Sequence, residues 1–317
     1  MLRRNYQDLT FCPQDKEADL LESRRRTLSA VKAKAPDLRI YYPTTLSALD
    51  RARLMEKGLL PVSFDKLTAA ALAADEGEKR SLAVNTGEHL LFKTRDQTGR
   101  LQELAEGVRA LEDDLILPEH PYAYDERFGF LSFSPVLAGS GLYVSLVMHL
   151  PMLNFLKQIR ALSQTLKQRY YCDLKPLGYV EGRNPGSLYR LGNAASFNRE
   201  DEGIVRQVME AAALISDKEA VLRDKAFHQA RITPLADRAW RAYGVLRYAR
   251  RLTPEDYLSL WSRMRLGALA GIVPLSLAKT NQMLELGGDS RYLTEGADRK
   301  TCPFRRADEV RQALSGG

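Results

Sequence analysis

Two groups of residues in this chain have types and spacing suited to a charged reactant. Arg24 and Arg26 stand two apart in "ESRRRTLSA", and on an extended segment that spacing puts both guanidinium groups on one side. The run "AGSG", Ala138 to Gly141, reads either as a loop offering the N–H groups of Gly139, Ser140 and Gly141 to an anion, or as a tight turn between a strand and a helix. A third stretch, "VNTGEHLLFK" from Val84 to Lys93, alternates apolar and polar residues and reads as a strand entered through a kink at Gly87. Alternation then places Gly87, His89 and Leu91 on one face and Glu88 on the other, so only a bulge at Gly87 turns the Glu88 carboxylate round.

The elements that must carry these residues are of mixed type. "DLRIYYP" (residues 37–43), "SLAVNTGEHLLFK" and "RFGFLSF" (127–133) read as short strands, being rich in branched and aromatic residues between Gly, Pro and Asp. Leu101, Leu104, Val108 and Leu111 form a helical stripe, and residues 150–171 read as a second amphipathic helix. Beyond about residue 231 the pattern turns helical. Two Thr-Pro pairs mark helix starts, and Thr253 with Glu255 and Asp256 reads as a cap before the stripe Tyr257, Leu260, Trp261, Met264 and Ala268. The charged segment 216–232 is the expected boundary, giving an N-terminal extension at 1–20, a mixed domain at 21–225 and a helical domain at 226–317.

Composition narrows the class. The chain has 317 residues, 44% of them hydrophobic, and a formal charge of +7, which suits anionic partners. The apolar run Leu266 to Ala278 is too short to cross a bilayer and contains Pro274, and the N-terminus lacks the apolar stretch of a secretory signal. Cys12, Cys172 and Cys302 are scattered without a CxxC pair, which points to a reducing, cytoplasmic setting and to no metal site.

The stretch Asp113 to Leu153, with "YAYDERFGFLSFSPVLAGSGLYVSLVMHLPML", resembles the guanidino-kinase superfamily, and within it the bacterial protein-arginine kinases of the McsB type. "ESRRRTLSA" is similar to that family's "SSRIRLARN", "LGYVEGRNPGSLYRLGN" to its "RGIYGEGSEALGN", and "LADRAWRAYGVLRYARRL" to part of its C-terminal helical segment. The resemblance implies an α+β fold, an antiparallel sheet flanked by helices, followed by a helical domain. It also implies transfer of the γ-phosphoryl of Mg-ATP to arginine guanidinium groups, with five arginines around the phosphates and two carboxylates at the guanidinium.

Set against that pattern, this chain lacks much of the machinery. Gly87 stands where the catalytic Glu belongs, leaving Glu88 as a possible substitute and Glu181 as the possible second carboxylate. Leu91, Tyr143 and Leu177 occupy positions of phosphate arginines, while Arg24 and Arg26 keep theirs. Lys93, Arg183 and Arg190 are candidate replacements, and Ser134 takes the place of the family's reactive cysteine. The family's "RDxxRA" motif, which reads phosphoarginine, is matched by Cys302, Pro303, Arg306 and Ala307 with its Arg-Asp pair missing. The leading expectation is therefore a catalytically degenerate pseudokinase that binds proteins, with quality-control regulators as partners and a homodimer formed through the helical domain. The alternative is a divergent active protein-arginine kinase. A third reading, nucleic-acid binding through Arg247, Arg250 and Arg251 with Trp240, Tyr243 and Tyr248, is weaker because helix periodicity assigns most of those aromatics to a core.

Overall fold

Runs of small and branched apolar residues build the first sheet of this computed structural model, which describes residues 1–61, 63–178, 183–228, 234–293 and 298–315. Strands β1 (Leu2–Arg4), β2 (Arg39–Tyr41), β3 (Ala71–Ala74), β4 (Arg80–Val84) and β5 (Leu90–Thr94) pair antiparallel in the order β1-β5-β4-β3-β2. Every residue of β3 is buried, as its "ALAA" sequence requires of a central strand covered on both faces.

Helix α1 (Glu17–Lys34) follows β1, and α2 (Ala48–Glu56) follows β2 with Ser47 as its cap, the hydroxyl accepting from the Asp50 N–H at 3.0 Å. After β5 comes α3 (Leu101–Leu115), which buries Leu101, Ala105, Val108, Leu111 and Leu115 and holds Leu104 half-buried at the stripe's edge, close to the predicted pattern.

The middle of the chain differs more from expectation. The run 127–133 contributes only β7 (Gly129–Phe130), paired with β6 (Tyr124–Asp125). A second sheet has the order β8-β10-β9, formed by β8 (Ser145–His149), β9 (Cys172–Pro176) and β10 (Leu188–Asn193). The segment 150–171 is two helices, α4 (Pro151–Phe155) and α5 (Ile159–Tyr170), because Lys157 takes a positive φ of 57° that ends the first. The expected boundary segment lies mostly inside one 28-residue helix, α6 (Asp201–His228).

The rest is helical: α7 (Pro234–Tyr248), α8 (Pro254–Leu269), α9 (Leu277–Met283) and α10 (Cys302–Ser315). Thr253 caps α8, accepting from the Asp256 N–H at 3.1 Å. The fold is thus α+β, with an antiparallel sheet, flanking helices and a helical C-terminal region. The chain divides into two compact units, Met1–Leu146 with Tyr170–Cys172 and Gly192–Glu210, and Val147–Arg169 with Asp173–Leu191 and Ala211–Gly317. Among the described residues no helix is long and apolar enough to cross a membrane.

In the second unit Tyr257, Trp261 and Met264 form the core that the spacing predicted, and the Trp261 indole N–H donates to the Thr280 carbonyl at 2.7 Å. Beside them Arg306 is fully buried. Its Nε donates to the Leu286 carbonyl at 3.0 Å, its Nη1 to the Leu252 carbonyl at 2.8 Å, and its Nη2 to Asp289. Arg306→Ala leaves two carbonyls without their donor in the interior and is expected to destabilise by about 3 kcal/mol or more. Both tryptophans lie in this region, so a lower urea midpoint by tryptophan fluorescence checks it, and an unchanged midpoint refutes it.

Candidate functional site

The stretch Val84 to Lys93 is a hairpin, not one kinked strand. β4 ends at Val84, the Asn85 N–H donates to the His89 carbonyl at 3.0 Å, and β5 starts at Leu90. Alternation of faces therefore fails from Asn85 to His89, and with it the expectation that Glu88 turns inward only through a bulge. Gly87, at φ +121°, is exposed with open space around it, while Glu88 is 4% exposed. Glu88 accepts from Asn5 Nδ2 at 2.5 Å and from the Ser132 hydroxyl.

His89 is fixed just as firmly. Its N–H donates to Asn5 Oδ1 at 2.9 Å and its Nδ1 accepts from the Tyr6 N–H at 3.2 Å. The remaining nitrogen, Nε2, therefore carries the proton and donates to the Thr10 carbonyl at 3.2 Å. Burial pushes its pKa down.

Arg24 and Arg26 lie on α1, not on an extended segment, and residues two apart on a helix point about 200° apart. The pair is accordingly dispersed. Arg24 Nη1 donates to the Thr68 carbonyl at 2.8 Å, whereas Arg26 bonds both oxygens of Asp8, at 2.8 and 2.9 Å, and Glu22 at 2.7 Å. Glu22 in turn is held at about 2 by its bonds to Arg25 and Arg26. These guanidinium groups form no shared phosphate clamp.

Two further arginines enter this part of the molecule from β1, within the expected N-terminal extension. Arg3 pairs in register with Leu91, and its guanidinium carbon lies 5.7 Å from the centre of the Tyr143 ring. Its Nη1 is buried without an acceptor among the described residues, and burial lowers its pKa against the opposing pull of Glu88. Arg4 points the other way, to Glu112 at 2.5 Å. Leu2, Arg4 and Tyr6 stand two apart, the spacing of one strand face, and all are buried, as is Asn5 between them.

The glycine loop is filled by protein. Arg4 Nη1 donates to the Ser140 carbonyl at 3.0 Å, and the Gly139 N–H donates to the Phe130 carbonyl at 3.0 Å. A Cβ on Gly141, at φ +70°, would come within 2.6 Å of Arg4 Nη1, so close packing explains that glycine without an anion. The loop is followed by β8, not by the expected helix.

Leu91, Tyr143, Lys93 and Ser134 are each packed or engaged by protein. Leu91 packs against the cluster around Tyr41, Leu54 and Leu72, and the Tyr143 hydroxyl lies so near Gly192 that a Cβ there would meet it at 2.6 Å. Lys93 Nζ donates to the carbonyls of Gly58 and Leu59, at 3.2 and 3.4 Å. Ser134 is half-buried, its N–H directed at the Ser132 hydroxyl at 3.4 Å.

Within the second unit the Leu177 N–H donates to the Leu188 carbonyl at 2.8 Å, and Arg183 and Arg190 are exposed. Glu181 lies outside the described residues. Cys302 is buried, and Arg306 is held by the carbonyls described above. On α7, Trp240 and Tyr248 are 47% and 71% exposed, so they are surface residues and not the core that periodicity suggested.

The second unit also holds a polar cluster that sequence reading missed. His149 Nδ1 accepts from Arg265 Nη1 at 2.8 Å, so Nε2 carries the proton and donates to Ser262 Oγ at 2.8 Å. Burial, then the Arg265 charge, hold its pKa well below the ordinary value. His89 and His149 are thus both neutral when folded and protonate more readily when unfolded. Their contribution is present above about pH 6.5 and is lost as pH falls below it. The thermal midpoint is expected to drop from pH 7 to pH 5, and less steeply in His149→Gln, which differential scanning calorimetry across that range measures.

Comparison with known proteins assigns the family. Residues 20–222 match the ATP:guanido phosphotransferase C-terminal catalytic domain, and residues 233–315 match the C-terminal domain of protein-arginine kinase McsB. The chain is 31% identical to a protein-arginine kinase of Symbiobacterium thermophilum over 330 residues, covering 99% of this chain and 91% of that one. It is 25% identical to that of Staphylococcus saprophyticus, over 92% and 85% of the two chains. Among solved structures it is similar to lombricine kinase (TM-score 0.61, 16% identity, 71% of this chain and 65% of that one). A duplicated taurocyamine kinase from Schistosoma mansoni matches with TM-score 0.61 at 17% identity, over 81% of this chain and 37% of that one. By these matches, over nearly its whole length and in the order its motifs suggest, the chain belongs to the McsB-type protein-arginine kinases of the ATP:guanido phosphotransferase superfamily.

Proposed function

We propose that this member of a phosphotransferase family no longer transfers phosphoryl groups efficiently and works by binding other proteins. One observation carries the reading. In the first unit the loop at the catalytic position has a single carboxylate, Glu88, and it is buried against Asn5 and Ser132 while Gly87 beside it has no side chain. Loss of a positioned acid-base group lowers rate by about 10² to 10⁴, and each missing clamp on a transferring phosphoryl group lowers it by roughly a further 10².

The family implies use of Mg-ATP, and three of the residues the sequence offers to its phosphates, Arg24, Arg26 and Gly139, are engaged by protein and do not fit it. Arg24 and Arg26 are taken by Thr68, Asp8 and Glu22, and the Gly139 N–H by Phe130. We derive no step through the nucleotide. Protein partners and a homodimer through the helical region belong to the same proposal, resting on the retained C-terminal domain match.

A second reading is favoured by the relatives, which carry the name protein-arginine kinase. In it the chain is an active kinase, with Arg3 supplying the missing cation: its Nη1 is buried without an acceptor, and it neighbours the positions of Leu91 and Tyr143. The deciding assay incubates the full chain with radiolabelled Mg-ATP and an arginine-rich protein and measures acid-labile, arginine-linked phosphate. We expect no signal above that of an Arg3→Ala variant. A wild-type signal at least about tenfold above that variant would overturn the proposal and establish the kinase.

A further inference from the structure

The second unit contains a trough of about 1060 Å³ lined by α4, α5, β9, the segment before β10, α7 and α8. Periodicity on each element turns one face to it. Arg160, Ser163, Gln164 and Lys167 follow helical spacing on α5, while Ser259, Ser262, Arg263 and Leu266 do so on α8.

Its charge is lopsided. Among the described residues Arg160, Lys167, Arg183, Arg238 and Arg263 line it, against Glu255 and Asp256, and Asp256 already accepts from the Thr253 hydroxyl at 2.8 Å in the α8 cap. None of the four arginines makes an ion pair among the described residues, in contrast to Arg4, Arg26 and Arg109. Only Lys167 has a carboxylate near, Asp173 at 3.4 Å. The floor is apolar in part: Phe155 is 52% exposed there with the Arg238 guanidinium 5.5 Å from its ring centre, and Leu174 and Pro176 lie on the same wall.

This pattern selects among anions. A lone phosphate needs convergent donors around one point, whereas Arg160 and Lys167 stand seven residues apart on α5, a rise of about 10.5 Å along its axis. The volume is at the upper end of small-ligand pockets, roughly 300 to 1,000 Å³. Spread cations above a partly apolar floor suit an extended chain carrying several carboxylates between apolar side chains. We propose that this trough is a docking site for an acidic, partly apolar peptide segment of a partner protein. The carboxylates of the segment pair with Arg160, Arg183, Arg238 and Arg263, and an apolar side chain covers Phe155. The proposal rests on the protein-binding reading only in requiring a partner, and it holds whether or not the chain transfers phosphate.

The test pans a random dodecapeptide library displayed on phage against the full chain, then measures the enriched peptides by fluorescence anisotropy. Wild type, an Arg160→Glu/Arg263→Glu variant and an Arg247→Glu control are compared. All three side chains are exposed, and equal thermal midpoints confirm that each variant folds. Enrichment in Asp and Glu beside Leu or Phe is expected, with affinity falling about tenfold or more in the double variant, unchanged in the control, and weakening as salt rises. No enrichment, peptides without acidic residues, or equal affinity for the double variant would overturn the proposal. So would tripolyphosphate binding that is lost in the double variant while no peptide is enriched, which would assign the trough to a phosphate ligand. Because phosphoryl transfer is not read out, failure here and failure of the degenerate-kinase reading remain distinct results.

Discussion

A guanidinium removed from water organises the first unit. Arg4 is 1% exposed, and the cost of burying such an ion, several kcal/mol, must be offset on every side. Glu112 supplies the countercharge at 2.5 Å, the carbonyls of Arg3 and Ser140 accept two further bonds, and the Phe130 ring lies 3.6 Å from the guanidinium carbon. Arg109 extends the network by bonding Glu112 at 3.0 Å and pairing with Asp201. One cation thereby ties β1, α3 and the glycine loop together, with α6 joined through Arg109, and Gly141 is required because any Cβ would collide with it.

The consequences reach the loop between β4 and β5. Fixing β1 fixes Asn5, which accepts from the His89 N–H and donates to Glu88. A buried carboxylate must find donors or remain an uncompensated buried charge. Asn5 and Ser132 are those donors. Leu91 and Tyr143 fill space nearby with apolar and aromatic surface, Leu91 against the core and Tyr143 against Gly192.

What the sequence disclosed follows from where physical signals are local. The α3 stripe, the Thr253 cap and the Trp261 core were legible because each is set by spacing within one element. The hairpin at Asn85–His89 was not, since its alternating polarity imitates a strand and its reversal depends on positive φ at Asn85 and Gly87. The "SxRxR" spacing misled in another way. "EADLLESRRRTLSAVKAK" is rich in strong helix formers, and that propensity outweighs the motif. Arg3 and Arg4 were invisible as site residues because their partners, Tyr143 and Glu112, are more than a hundred positions away. His149 escaped notice for the same reason, its tautomer being set by Ser262 and Arg265.

The two units manage positive charge differently, and the difference has a thermodynamic direction. In the first, the buried and half-buried cations Arg4, Arg26 and Arg109 are neutralised by carboxylates of the same unit, so an added anion gains little by approaching them. In the trough of the second, four exposed guanidinium groups line one cavity without ion-pair partners among the described residues. Each is exposed to solvent, and together they give the trough a positive potential that salt screens. An anion that binds the folded trough raises the stability of the unit by mass action. In a chain whose net charge is +7, charge left unpaired in one concave place is where a partner's negative charge gains most.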